Sequence, residues 1–216
     1  MYAHDYEERK RPAKPTKPVV VPTVDTTLWP AMEHYLENRN LDFITAKENG
    51  WYPARDREGT PRIVMPASSL ANTWPYYQAR AMNDHPKRYD SPSAPRGDAL
   101  IVVHPKNDFP TCAPKVIVEG PMDALAAAGT GAVGIALMGC APSLEALVYL
   151  AHLLRTFPGP CILIPDKDAL VEGAKVVAYV WKEGLQCTLR PTLSKDLAAM
   201  APEQRMACLS LSMKPT

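Results

Sequence analysis

At 216 residues the chain has room for one large domain or two small ones, and a hydrophobic content of 46% is enough to build a core. A formal net charge of +1 excludes recognition of a polyanion by global charge and leaves that task to local clusters. The five cysteines, Cys112, Cys140, Cys161, Cys187 and Cys208, include no Cys-x-x-Cys pair, which speaks against a zinc ribbon and against a secreted disulfide framework.

Residues 9–22, RKRPAKPTKPVVVP, hold five basic residues and four prolines, so positions 1–25 read as an extended basic tail. Such a tail is either a solvated linker or an arm that docks nucleic acid or a partner. Residues 30–49 predict two short helices broken around Asn38 to Asp42, with Gly50 stopping the second. Strands are expected at 61–66 and 74–82, a Pro-, Ser- and charge-rich loop at 83–98, and another strand at 99–103. These elements form a mixed N-terminal lobe over 26–110.

The pattern changes at Lys115. Strand VIVE, a helix from Pro121 to about Ala128, strand AVGIALMG, a helix over 143–156, strand CILIPD, a helix over 171–183 and strand QCTLRP follow in order. Alternation of this kind predicts a parallel sheet covered on both faces, here over 111–200. A short helical piece is expected at 195–200, and 201–216 reads as a tail. No apolar run approaches membrane-spanning length, and the charged N-terminus lacks a signal-peptide core. A cytoplasmic protein without a membrane partner is the expectation.

Two apolar runs end abruptly in acids: KVIVEGPMD places Glu119 and Asp123 after one strand, and CILIPDKDA places Asp166 and Asp168 after another. Open α/β sheets bind ligands at the carboxyl ends of their strands. Asp123 also falls in the first turn of a helix, where the helix dipole alone would favour it. Glu119 has less structural excuse. If the later strand continues through Asp166 and Asp168, both point to one face. Two carboxylates at ~4 Å repel by about 4 kcal/mol at an effective dielectric near 20. Four together are costly unless some protonate or a cation binds, and for all-oxygen donors Mg²⁺ or Mn²⁺ is the commoner solution. Such a site fits phosphoryl transfer with a substrate hydroxyl or water as nucleophile.

Arg80, Lys87, Arg88 and Arg96, interleaved with Tyr76, Tyr77 and Tyr89, suit phosphates and bases, or else a solvated loop. Lys195 and Asp196 follow the last strand at the same sheet edge, with helix capping as the plainer reading. Residues 129–134, GTGAVG, match the dinucleotide fingerprint literally. They follow a helix and open a strand, the reverse of what that motif requires, and read as a helix stop. The histidines are scattered, without metal-ligand spacing.

Taken together, strand-Glu-Gly, an Asp four residues after the Glu, a Gly-ended second strand and a later Asp-x-Asp resemble the TOPRIM domain. Residues 62–92, with RIVMP, QARA and PKRYDSP, resemble the basic segment that precedes it in DnaG-type primases. YLENRNLDFI at 35–44 and LRPTLSKDLAAM at 189–200 resemble further segments of that family. The resemblance implies an α/β fold with a central parallel sheet flanked by helices and a smaller mixed basic lobe ahead of it. It implies an acid-base or metal-binding role for Glu119 and metal-associated roles for Asp123, Asp166, Asp168 and Asp196. It implies nucleotide or template contacts by Arg80, Lys87, Arg88 and Lys195. The reaction implied is synthesis of short RNA primers on single-stranded DNA from nucleoside triphosphates. A replicative helicase and a separate zinc-binding protein are the implied partners.

Two departures stand out. The family follows Asp-x-Asp closely with Ala-Gly, whereas here Gly173 comes later. As read, the sequence carries no zinc-binding domain and little of a C-terminal helical subdomain, as expected of a compact phage-like core. A TOPRIM nuclease and a non-catalytic nucleic-acid-binding adaptor stay open beside the primase reading.

Overall fold

The computed structural model describes residues 18–70, 75–106, 112–191 and 196–210. The Asp25 carboxylate accepts the Thr27 N–H at 3.1 Å and starts a 3₁₀ turn, Thr26–Leu28, that leads into α1 (Trp29–Glu37). Met32 and Leu36, one turn apart on α1, are fully buried. Asp42 caps α2 (Phe43–Glu48) by accepting from Ile44 and Thr45 N–H. The break between these helices falls where the sequence predicts it.

A four-stranded antiparallel sheet follows, in the order β1 (Tyr52–Arg55), β2 (Pro61–Pro66), β3 (Tyr77–Ala81), β4 (Tyr89–Asp90). Two expectations change here. The strand predicted from 74 begins at Tyr77. The stretch predicted as loop over 83–98 contains β4, in which Tyr89 pairs with Arg80 and Asp90 with Ala79. Two residues are too few to show an alternating pattern.

The second sheet has the order β5-β7-β6-β8-β9. Its strands are β5 (Ile101–Val103), β6 (Lys115–Val118), β7 (Val133–Ala136), β8 (Cys161–Leu163) and β9 (Thr188–Leu189). β6 runs parallel to β7 and β8, and β8 to β9, whereas β5 pairs antiparallel with β7. The sheet is therefore mixed, and the strand at 99–103 joins it rather than the first sheet. A short apolar run does not encode its partner.

Side chains alternate across β6. Val116 and Val118 pack with α3 (Pro121–Ala128) in one core, and Ile117 packs with α4 (Leu144–Thr156) and α5 (Leu170–Lys182) in another. The first of these cores also holds Met32, Leu36, Trp51, Ile63 and Met65, so both lobes share it. Residues 196–200 form turns, not the predicted helical piece, and the stretch read as a tail contains α6 (Pro202–Ser210), with Leu209 in the shared core. No helix among the described residues is long and apolar enough to cross a membrane.

Candidate active site

The site begins where β6 ends. Pro121 takes the first position of α3, where its missing N–H leaves no bond unmade. Gly120 precedes it, and a Cβ there would lie 2.9 Å from Asp123 Oδ2, so glycine leaves room for that carboxylate to fold back. Asp123 is 9% exposed, and its Oδ1 accepts the Ala198 N–H at 2.8 Å. Burial first, then the charges of Asp196 and Asp166, push its carboxyl up to about 7, against the pull of the Ala198 N–H. This is a tertiary role beyond stabilising a helix terminus.

Glu119 is half-buried, and its Oε1 is sealed from solvent without a hydrogen-bond partner. Burial, then the charges of Asp166 and Asp168, raise its affinity for a proton, while the Asp166 backbone N–H opposes them. The reading of Asp166 and Asp168 on one strand face is corrected. β8 stops at Leu163, Pro165 cannot continue a ladder, and the Asp166 carbonyl accepts the Ala169 N–H at 2.9 Å. The two acids sit in a turn, Asp166 half-buried and Asp168 exposed. Asp196 accepts the Ala199 N–H at 2.7 Å, so it does cap a turn while its charge reaches Asp123. The structure thus brings together Glu119, Asp123, Asp166, Asp168 and Asp196. Lys195 lies outside the described residues.

The first lobe supplies the facing wall. Arg80 on β3 donates from Nε to the Tyr35 hydroxyl at 2.9 Å, and its guanidinium lies 4.9 Å from the centre of the Tyr89 ring. Burial pushes the Tyr89 phenol up to about 12; Arg80 draws it down and Asp123 adds to the rise. Arg80 and Tyr89 therefore belong to the same site as Asp123. Further along the same segment, Lys87 pairs with Asp90, and Arg88 is exposed without an ion pair among the described residues. Arg96 has a structural task. It donates to the carbonyls of Leu137 (3.0 Å), Met138 (2.6 Å) and Ala141 (3.4 Å) and fastens the loop leaving β7.

Sequence reasoning missed Tyr35, Ala198 and Arg205. Ala198 lies in the quoted 189–200 segment but acts through its backbone, and Arg205 stands in a stretch without a motif, so neither side chain gave a signal. A small, partly enclosed hollow lies beside Glu119 and is lined by Val118, Leu137, Cys140, Ile164 and Pro165 among others.

No group of three or more His, Cys, Asp or Glu among the described residues is arranged to hold a metal ion by itself. Mg²⁺ commonly takes only one or two carboxylates, with waters and substrate phosphates completing its shell. Glu119, with one buried oxygen unpartnered, and the neighbouring Asp166 fit a donor set of two carboxylates.

A mixed lobe thus packs on an α/β lobe, with acids at the carboxyl ends of parallel strands. No protein-family model matches the sequence, and no curated protein matches it. Solved structures do match. The primase fragment of the bacteriophage T7 primase-helicase is 15% identical with a TM-score of 0.60, over 98% of this chain and 86% of that one. A DnaG primase catalytic domain bound to single-stranded DNA is 15% identical with a TM-score of 0.59, over 84% of this chain and 71% of that one. A third is the bacteriophage T7 lagging-strand DNA polymerase interacting with primase domains bound to an RNA/DNA hybrid and dTTP. It is 17% identical with a TM-score of 0.51, over 80% of this chain and 84% of that one. The fold is that of the DnaG-type primase catalytic core.

Proposed function

We propose that the chain is a DNA primase catalytic core that makes short RNA primers on single-stranded DNA by metal-dependent nucleotidyl transfer. The observation that carries the reading is the juxtaposition of Glu119, Asp123 and Asp166 with Arg80 and Tyr89 across the two lobes. The likeness in fold to structures that hold single-stranded DNA, or an RNA/DNA hybrid with dTTP, supports it.

In the proposed reaction a nucleotide 3′-hydroxyl attacks the α-phosphorus of the next nucleoside triphosphate, and pyrophosphate leaves. Mg²⁺ or Mn²⁺, when bound, would neutralise phosphate charge and polarise the oxygens involved. Glu119, Asp166 and Asp168 would hold it together with the triphosphate. The Glu119 carboxylate, whose Oε1 has no hydrogen-bond partner, would take the proton from the attacking hydroxyl. Asp123, fixed by the Ala198 N–H, sets the edge of the site. Arg80 offers a cation to phosphate and Tyr89 an aromatic wall, with Lys87, Arg88 and Lys195 as outer contacts to the template. Single-stranded DNA and nucleoside triphosphates are the proposed ligands, and a replicative helicase and a zinc-binding protein the proposed partners.

The test is incubation with single-stranded DNA, labelled nucleoside triphosphates and Mg²⁺ or Mn²⁺, with products resolved by size. Wild type should yield short, template-dependent RNA, and Glu119→Gln and Asp166→Ala should lose at least ~10²-fold of that activity. Shortened template without RNA would instead indicate a nuclease, and binding without either product an adaptor.

A further inference from the structure

Arg205 is 3% exposed, on a helix in a segment without a recognisable motif. A buried guanidinium is costly unless its N–H groups find acceptors. Here the acceptors are four main-chain carbonyls. Nε donates to Leu197 at 3.2 Å, Nη2 to Ala198 at 2.7 Å and to Arg39 at 3.2 Å, and Nη1 to Asn40 at 2.7 Å.

These partners come from two distant places. Leu197 and Ala198 form the peptide segment whose N–H at Ala198 is bonded to Asp123. Arg39 and Asn40 form the turn that ends α1 in the first lobe, and Asn40 holds a left-handed φ of 53°. One side chain on α6 therefore ties the first lobe to the turn that orients an acid of the site. Its charge also lies close enough to interact with Asp123 and Asp196. The planar, multi-pronged guanidinium suits this geometry, and a lysine ammonium, a single point of donation, cannot reproduce it.

We propose that Arg205 is a positioning residue for the reaction at the acidic edge. It holds the Leu197–Ala198 segment so that the Ala198 N–H fixes Asp123, and it places a positive charge behind Asp123 and Asp196. The catalytic consequence rests on the nucleotidyl-transfer reading above; the geometric part does not.

The test compares Arg205→Met and Arg205→Lys with Leu209→Ala, a packing control on the same helix. Three quantities are measured: folded fraction by circular dichroism, amide hydrogen exchange at Ala198, and kcat and KM for primer synthesis. In Arg205→Met, exchange at Ala198 should quicken at least ~10-fold. Its kcat per folded molecule should drop at least ~10-fold with KM for nucleotide little changed, and Arg205→Lys should fall between it and wild type. Leu209→Ala should lower the folded fraction while leaving the kcat of folded molecules near wild type. Unchanged Ala198 exchange in Arg205→Met, or an equal loss of kcat in Leu209→Ala, overturns the proposal. If Arg205→Met does not fold, Arg205→Lys carries the same two comparisons. A wild type that makes no primer overturns the primase reading, and Ala198 exchange then decides the role of Arg205 alone.

Discussion

Asp123 shows how one residue can serve the site at a cost to stability. In the unfolded chain its carboxyl ionises near 3.8, and in the folded protein near 7, chiefly because it is buried. Below the lower value it is neutral in both states. As pH rises between the two values, the unfolded chain ionises and gains hydration that the folded protein cannot offer. The stability present at low pH is thus lost as pH rises through the folded value, and the loss is complete above it. Asp123→Asn keeps an oxygen for the Ala198 N–H and removes the ionisation. The variant should therefore gain on wild type by a few kcal/mol, on the order of 3, between pH 4 and 7. Urea denaturation of both proteins across that range, without divalent cation, gives the difference directly. A difference that stays flat with pH would mean that Asp123 is not held in this environment.

At the scale of elements, the site depends on how closely α3 lies on β7. A Cβ at Gly134 would come within 2.1 Å of the Ala124 carbonyl oxygen, a backbone atom that cannot swing aside. Gly134→Ala should push α3, and Asp123 with it, away from the sheet. A cost of about 1–3 kcal/mol is expected from overpacking of this kind, with a larger proportional loss of activity. Thermal melts and primer yield measured on the same preparation check both, and wild-type values for either would contradict the close approach. The same elements show what the sequence makes legible. Helix α3, its Pro121 start and the exits carrying Glu119 and Asp166 are written locally, in an apolar run followed by Gly, Pro or acid. The GTGAVG stretch is likewise decided by its order, helix before strand, and the structure agrees. By contrast, β4 is two residues long, the pairing of β5 with β7 is a choice of partner across the fold, and α6 has a weak pattern. Asp123's bond to Ala198 spans 75 residues, and no local pattern announces it.

For the whole molecule, the decisive fact is that the two lobes are not independent. Met32 and Leu36 from α1 and Ile63 and Met65 from the first sheet share one core with Val116, Val118 and the residues of α3. The placement of Arg80 relative to Asp123 is therefore set by core packing, and Arg205 adds a polar tie between the lobes. Leu36 is fully buried in this core although it lies far from the acids in sequence. Leu36→Ala should cost about 2–5 kcal/mol, within the usual span for such truncations. Because the core is common, unfolding should remain one transition, shifted as a whole. Tryptophan fluorescence, which includes the buried Trp51, and far-ultraviolet circular dichroism should report the same midpoint in wild type and variant. Separate midpoints, with the α/β lobe melting at its wild-type position, would show that the lobes fold apart. The distance between the basic wall and the acids would then be set by something other than the shared core.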